Sequence, residues 1–184
     1  MEVDVIKKTS SRILGTIRKA EDVFNLKEVQ EIKDAMREHL LFLSLDQQNN
    51  LRSINLLGIG TNSEVQISSK DIVRTALMSG NNNVILVHNH PSDSLRPSNQ
   101  DLHLSNVTNK LLEIFGIKML DHIIVTSDNY MSMESMKQIN REFADDKIEY
   151  LDKAILFEEN QRLKSEKEVE FNAEEIEEDD EMEI

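Results

Sequence analysis

Four side chains in the run Val84 to Asp101 could bind and activate together: His88 and His90, then seven residues, then Ser98 and Asp101. The two imidazoles and the carboxylate offer one nitrogen or oxygen each to a single divalent cation. Three protein ligands with one position left open is the pattern of catalytic zinc, whereas closed structural sites lean on thiolates. The chain has no cysteine. Both halves of the pattern also have a plainer reading. Ser-x-x-Asp at a helix start is a capping box, and His-x-His at a strand end is a polar terminus. What joins them is the short path from strand through loop to helix start, which returns the chain beside the strand end.

The elements that must position these groups are legible around them. Val84, Ile85, Leu86 and Val87 form a continuous aliphatic stretch, the pattern of a central strand buried on both faces, and the asparagines at 81 to 83 mark a turn before it. Residues two apart on an extended chain share a face, so His88 and His90 can reach one point while Asn89 faces away. Pro91 ends regular pairing. Ser92, Asp93, Ser94 and Pro97 are loop chemistry. Leu102, Val107, Leu111, Leu112 and Phe115 then suit a helix running to Gly116, with Ser98 as its N-cap and Asp101 as its third residue. Further segments at 40–45, 53–60, 72–78 and 118–126 alternate strand and helix patterns and predict an α/β fold, a mixed central sheet flanked by helices.

The spacing and wording of this run, His-Asn-His-Pro-Ser followed by Pro97-Ser98 and Asp101, resemble the JAMM motif of the MPN, or JAB, metalloprotease superfamily, and within it the RadC-like proteins. The resemblance continues through Asp121-His122-Ile123-Ile124-Val125 and Tyr130-Met131-Ser132-Met133. Upstream it takes in Glu38, Leu41 to Asp46, Gly58-Ile59-Gly60-Thr61 and Ser68 to Val73. It covers roughly residues 35 to 135 and implies a domain at 35–140, between a helical segment at 1–34 and a helical extension with an acidic tail at 141–184. The resemblance implies the cytidine-deaminase-like sandwich of MPN/JAB domains. It further implies Zn2+ held by His88, His90 and Asp101, Glu38 as general base, and Ser98 as hydrogen-bond donor to the developing oxyanion. Asp93 stands where RadC-like sequences commonly carry glycine, and no helix-hairpin-helix region of the kind in longer relatives is apparent.

Each residue type has a task in that chemistry. Zinc lowers the pKa of bound water from about 15.7 to about 7 and polarises a carbonyl. A carboxylate that is not a ligand must then move the water's proton to the leaving amine, which contributes typically ~10²–10⁴-fold. Glu38 has a rival in Glu64, and its own neighbours Arg37 and His39 equally suit a solvated surface glutamate. Among the other histidines, His103 is expected to point away from a shared metal and His39 to be structural. For His122 two readings stand: a partner that orients a ligand imidazole, or a polar pair with Asp121 at a strand start.

Composition bounds the rest. No run of about 18 apolar residues supports a membrane span, and no basic-plus-apolar start supports secretion, so the chain reads as cytoplasmic. Residues 157 to 184 carry thirteen acidic against three basic residues, a net of minus ten that leaves only minus four of the total minus fourteen to the remainder. The block from Glu174 to Glu183 repels itself and reads as a disordered tail, or as a segment competing with anionic partners or folding over the site. Apolar residues among charges at 1–37 and 134–165 suggest amphipathic helices. Three functions are in contention: zinc-dependent hydrolysis of a peptide or isopeptide bond in a protein substrate, an accessory role in DNA repair or on mobile elements, and a catalytically silent scaffold. Clustered Lys and Arg for phosphate contacts are not visible, which argues against direct nucleic-acid contact.

Overall fold

A computed structural model describes residues 13–60 and 67–139. Six strands form one mixed sheet: β1 (Gly15–Thr16), β2 (His39–Leu45), β3 (Asn50–Ile59), β4 (Asn83–Asn89), β5 (Lys118–Val125) and β6 (Tyr130–Ser132), in the order β1-β3-β2-β4-β5-β6. Only β4 and β5 are parallel; β2 pairs antiparallel with both β3 and β4. The parallel step needs a crossover, and α4 (Asn99–Ile114) supplies it. The aliphatic run at 84–87 is the middle of β4, paired on both edges and buried throughout. The sheet is thus α/β, mixed and flanked by helices, as the sequence predicts.

Alternation along the strands divides the core in two. Leu41, Leu43, Leu45, Ile85, Val87, Ile123 and Val125 share one face with Ile17, Val23, Val29 and Ile32. The last three come from α1 (Ala20–Phe24) and α2 (Lys27–Ile32). Leu40, Phe42, Val84, Leu86 and Ile124 point to the other face. There α3 (Ser69–Ser79) and α4 bury Ile72, Val73, Ala76, Val107, Leu111 and Leu112. Both helices end on a glycine near left-handed geometry, Gly80 at φ 61° and Gly116 at φ 69°, where a side chain would strain the backbone.

Several expected elements differ. Residues 13–16 are extended rather than helical, because Leu14 N–H donates to the Leu51 carbonyl and Gly15–Thr16 adds an edge strand to β3. Residues 133–137 are turns rather than helix: Gln138 N–H closes back on the Met133 carbonyl and Lys137 sits at φ 55°. Asn83 opens β4 instead of ending the turn. Phe115, expected on the buried helix face, is 53% exposed. The expectations for Val5-Ile6, Thr61, Glu64, the helical stretch beyond 140 and the acidic tail lie outside the described residues.

The β2–β3 turn is held by one carboxylate. Asp46 accepts from the Gln48 and Asn50 amides at 3.0 and 2.9 Å and from Arg52 Nη2 at 2.6 Å. Burial opposes its ionisation, but the Asn50, Arg52 and Gln48 donors outweigh it and bring the pKa down to about 2. An unfolded aspartate titrates near about 3.9, so this depressed group contributes stability above that pH and loses it as the pH falls towards about 2. Asp46→Asn is therefore expected to melt below the wild type at pH 6, with the gap closing by pH 2. Thermal melts across that range test it; a gap constant with pH would exclude the charge as its source.

Candidate metal centre

The site lies where β4 ends against the start of α4. His88 is the penultimate residue of β4, facing the α4 side of the sheet, and His90 follows the strand with its amide donating to the Val125 carbonyl at 3.0 Å. That bond keeps the chain beside β5 for one residue more, so the two-residue alternation carries through and both imidazoles converge. Their Nε2 atoms stand 2.7 Å apart. Asp101 closes the group from α4, with Oδ1 at 3.2 Å from His88 Nε2 and Oδ2 at 3.4 Å from His90 Nε2.

Among the described residues these three form a group of potential metal ligands, one ligand atom from each lying within 4.8 Å of the others. Tetrahedral zinc with bonds of about 2.0–2.1 Å spaces its ligand atoms roughly 3.3 Å apart. Both imidazole–carboxylate distances match that spacing, and the nitrogen pair would open by a fraction of an ångström. The donor chemistry fits a cation as well. His90 Nδ1 lies 2.6 Å from the Ser94 carbonyl, which only accepts, so the ring donates there and a neutral His90 presents the lone pair of Nε2 to its neighbours.

The electrostatics agree. Burial alone would raise the Asp101 carboxyl, yet the His88 and His90 imidazoles and the Ser98 hydroxyl beside it hold it well below the usual carboxylate range. Burial alone would lower His90, but the bonds to Asp101 and the Ser94 carbonyl, with the charges of Asp101 and Glu38, leave it raised. The pocket therefore favours positive charge at the point the three ligand atoms share.

The helix cap and the ligand position turn out to be one arrangement. Ser98 Oγ accepts from the Asp101 amide at 3.1 Å, while Asp101 Oδ2 accepts from the Ser98 amide at 2.7 Å. The capping box thus fixes the carboxylate whose other oxygen faces His88. The Ser98 hydroxyl also donates to Asp101 Oδ2 at 2.7 Å, so donation to a substrate oxygen requires its release from that bond.

Glu38 immediately precedes β2 and is half-buried. Leu40 pairs with His88 across the β2–β4 ladder, so Glu38, two residues earlier, falls on the same face on the side of His90. Its segment is fastened by Asn89, whose Oδ1 accepts from the His39 amide at 2.7 Å while Nδ2 donates to the Ala35 and Arg37 carbonyls at 3.2 and 3.1 Å. The Glu38 carbonyl accepts from the Gly60 amide at 2.8 Å. Asn89 escaped the sequence reading; its one signal was an amide on the buried, opposite face of a central strand.

The remaining expectations resolve individually. His103 is exposed. His39 donates from Nδ1 to the Arg37 carbonyl at 2.8 Å, a structural bond. His122 lies mid-strand in β5 with Nε2 at 2.8 Å from His88 Nδ1, and Ser105 Oγ at 2.5 Å from its Nδ1. It touches the His88 imidazole, and it lies within the strand rather than at its start. Asp121 turns the other way to accept from its own strand's His122 amide and from Ser132 Oγ at 2.5 Å. Asp93 takes φ 55°, the left-handed region where glycine is at ease and aspartate is tolerated, and its Oδ1 accepts from the Ser127 amide at 3.1 Å. The backbone angle that glycine would supply is kept.

Comparison with known proteins places this geometry. The chain is 36% identical over 126 residues to the UPF0758 protein of Finegoldia magna, covering 64% of this chain and 56% of the relative. It is 34% identical over 116 residues to the UPF0758 protein of Chlorobaculum parvum, covering 63% and 52%. A third UPF0758 protein, from Methanococcoides burtonii, is 36% identical over 121 residues, covering 64% and 51%. The chain spans about half the length of the curated relatives it matches. The model of the RadC-like JAB domain matches residues 17–139, more than half of the chain, and the chain belongs to that family.

Proposed function

We propose that the chain is a zinc-dependent hydrolase of the JAMM type, cleaving a peptide or isopeptide bond in a peptide or protein substrate. One observation carries the reading: two desolvated imidazole nitrogens and an anionic carboxylate meet within 4.8 Å beside a further, half-buried glutamate. Imidazole ligands with one carboxylate suit zinc. When bound, the ion supplies a water acidified to about pKa 7 and a Lewis acid for the scissile carbonyl. His88, His90 and Asp101 would hold it.

The other roles belong to the chain's own groups. Glu38 takes the proton of the attacking water and delivers it to the leaving nitrogen, the task of a carboxylate outside the ligand group. Asn89 keeps the Glu38 segment from drifting, since it ties the backbone on both sides of that residue. Ser98, on leaving Asp101 Oδ2, donates its hydroxyl hydrogen to the oxygen that gains charge in the transition state. Selectivity falls to the loop at 92–97, on the path from β4 to α4, whereas the turn at 46–50 lies at the Asn83 end of β4, away from His88.

The test is turnover of a mixed peptide and isopeptide library by the full chain. Cleavage is expected to stop on treatment with a chelator and to return with one equivalent of zinc. A zinc-loaded chain that cleaves nothing would favour the silent scaffold. Salt-sensitive retardation of DNA without cleavage would favour the accessory role in DNA metabolism.

A further inference from the structure

His88 has two ring nitrogens and one of them must be bare for a metal, yet the group that decides which one lies two residues removed, on α4. Ser105 Oγ stands 2.6 Å from the Asp101 carbonyl oxygen and 2.5 Å from His122 Nδ1. His122 Nε2 in turn stands 2.8 Å from His88 Nδ1. Ser105, His122 and His88 are all buried, at 0%, 0% and 3% exposure, so water cannot repair a mismatched contact.

We infer that the Ser105 hydroxyl, acting through His122, locks His88 in the form protonated at Nδ1 and so presents its Nε2 lone pair to the metal. The deduction is a count of protons. Ser105 owns one hydroxyl hydrogen and has two neighbours within 2.6 Å, with the weaker acceptor Met133 Sδ farther off at 3.4 Å. A backbone carbonyl never donates, so the 2.6 Å contact with Asp101 is attractive only if Ser105 donates there. The hydroxyl oxygen must then accept from His122, which places the His122 hydrogen on Nδ1. His122 is fully buried, and with its one hydrogen on Nδ1 its Nε2 faces His88 as an acceptor. The only donor that fits at 2.8 Å is His88 Nδ1–H. A neutral His88 then has no hydrogen on Nε2, and the bare Nε2 atoms of His88 and His90, 2.7 Å apart, make a contact that a shared cation would relieve.

The reverse chain fails at one place. Were Ser105 to donate to His122 Nδ1, then His122 would donate to His88 Nδ1 and His88 Nε2 would carry a hydrogen, closing the metal position. That chain leaves two lone-pair oxygens, Ser105 Oγ and Asp101 O, at 2.6 Å with nothing between them. The relay starts on the backbone carbonyl of Asp101, itself a ligand, one helical turn before Ser105. Ser105 and His122 are therefore positioning residues: they touch neither the metal nor a substrate. With His90 pinned by the Ser94 carbonyl, both imidazoles are set for the same ion by acceptors on separate segments. Partners of this kind typically matter by about 10–100-fold in metal affinity.

The inference rests on the metal-site reading above, and its test separates the two. Proton–nitrogen correlation spectra of the full chain, labelled at histidine and stripped of zinc by a chelator, report the ring tautomers directly; His88 and His122 are both expected to carry hydrogen on Nδ1. Zinc affinity by competition with a chromophoric chelator is expected to fall about 10–100-fold in Ser105→Ala and to recover in Ser105→Thr, which keeps the hydroxyl. Wild type that takes up no zinc overturns the metal site and the relay together. Wild type that binds zinc, but shows His88 without hydrogen on Nδ1 when stripped, or Ser105→Ala with unaltered affinity, overturns the relay alone.

Discussion

Asp101→Asn is expected to empty the metal centre while leaving the fold in place. Asparagine has nearly the same shape, and its side-chain oxygen can still accept from the Ser98 amide, now 2.7 Å from Asp101 Oδ2, so the α4 cap survives. What it lacks is the negative charge that balances a divalent ion between His88 and His90. If a protein zinc site is worth on the order of 10 kcal/mol and three ligands share it, losing one costs roughly 3 kcal/mol, or more than a hundredfold in affinity. Zinc measured on the purified chain should drop from one equivalent to background, while melts in chelator should stay close to those of the wild type. Asp101→Ala should lose the zinc too and also melt lower, since removing a cap costs about 1 kcal/mol. An Asp101→Asn protein that keeps a full equivalent of zinc would show that the ion sits elsewhere.

Glu38→Gln should divide binding from turnover. The substitution keeps size and hydrogen-bonding ability but removes the proton acceptor, and the candidate ligand group is made of His88, His90 and Asp101. Zinc content should be unchanged while kcat falls by about 10²–10⁴, the contribution of a positioned general base. The location supports this: the strand register carries Glu38 to the His90 side of the same face, and its charge is among the influences that raise His90. Turnover that survives in Glu38→Gln would move the base to another carboxylate.

The agreement between sequence and structure has physical reasons that differ by element. Val84 to Val87 was readable as a central strand because only a strand paired on both edges and covered on both faces buries four consecutive aliphatics. The Ser98–Asp101 start of α4 was readable because capping chemistry is local, with donor and acceptor three residues apart. The edge strand at Gly15–Thr16 was not readable, since its two residues are held by pairing with Leu51 and Asn50, far along the chain. The turn at 133–137 was missed for the same reason: the amide of Glu134 is claimed by Asp121 Oδ1 at 3.0 Å, a partner that periodicity cannot reveal.

By itself the sequence determined the types of the candidate ligands, their order, and the alternation that turns His88 and His90 to one side, because these depend on side-chain chemistry and the period of an extended strand. The tertiary structure alone decided what stands behind them. A register shift between Val84 and Ile85 in the β4–β5 pairing puts His122, not Asp121, on the face of His88. A shift of one residue exchanges every side chain between faces, so no pattern within β5 could have chosen between that histidine and that aspartate. The approach of Ser105 to His122 likewise exists only once α4 lies on the sheet. Spacing could name the groups that face one another; packing chose the side chains that stand behind them.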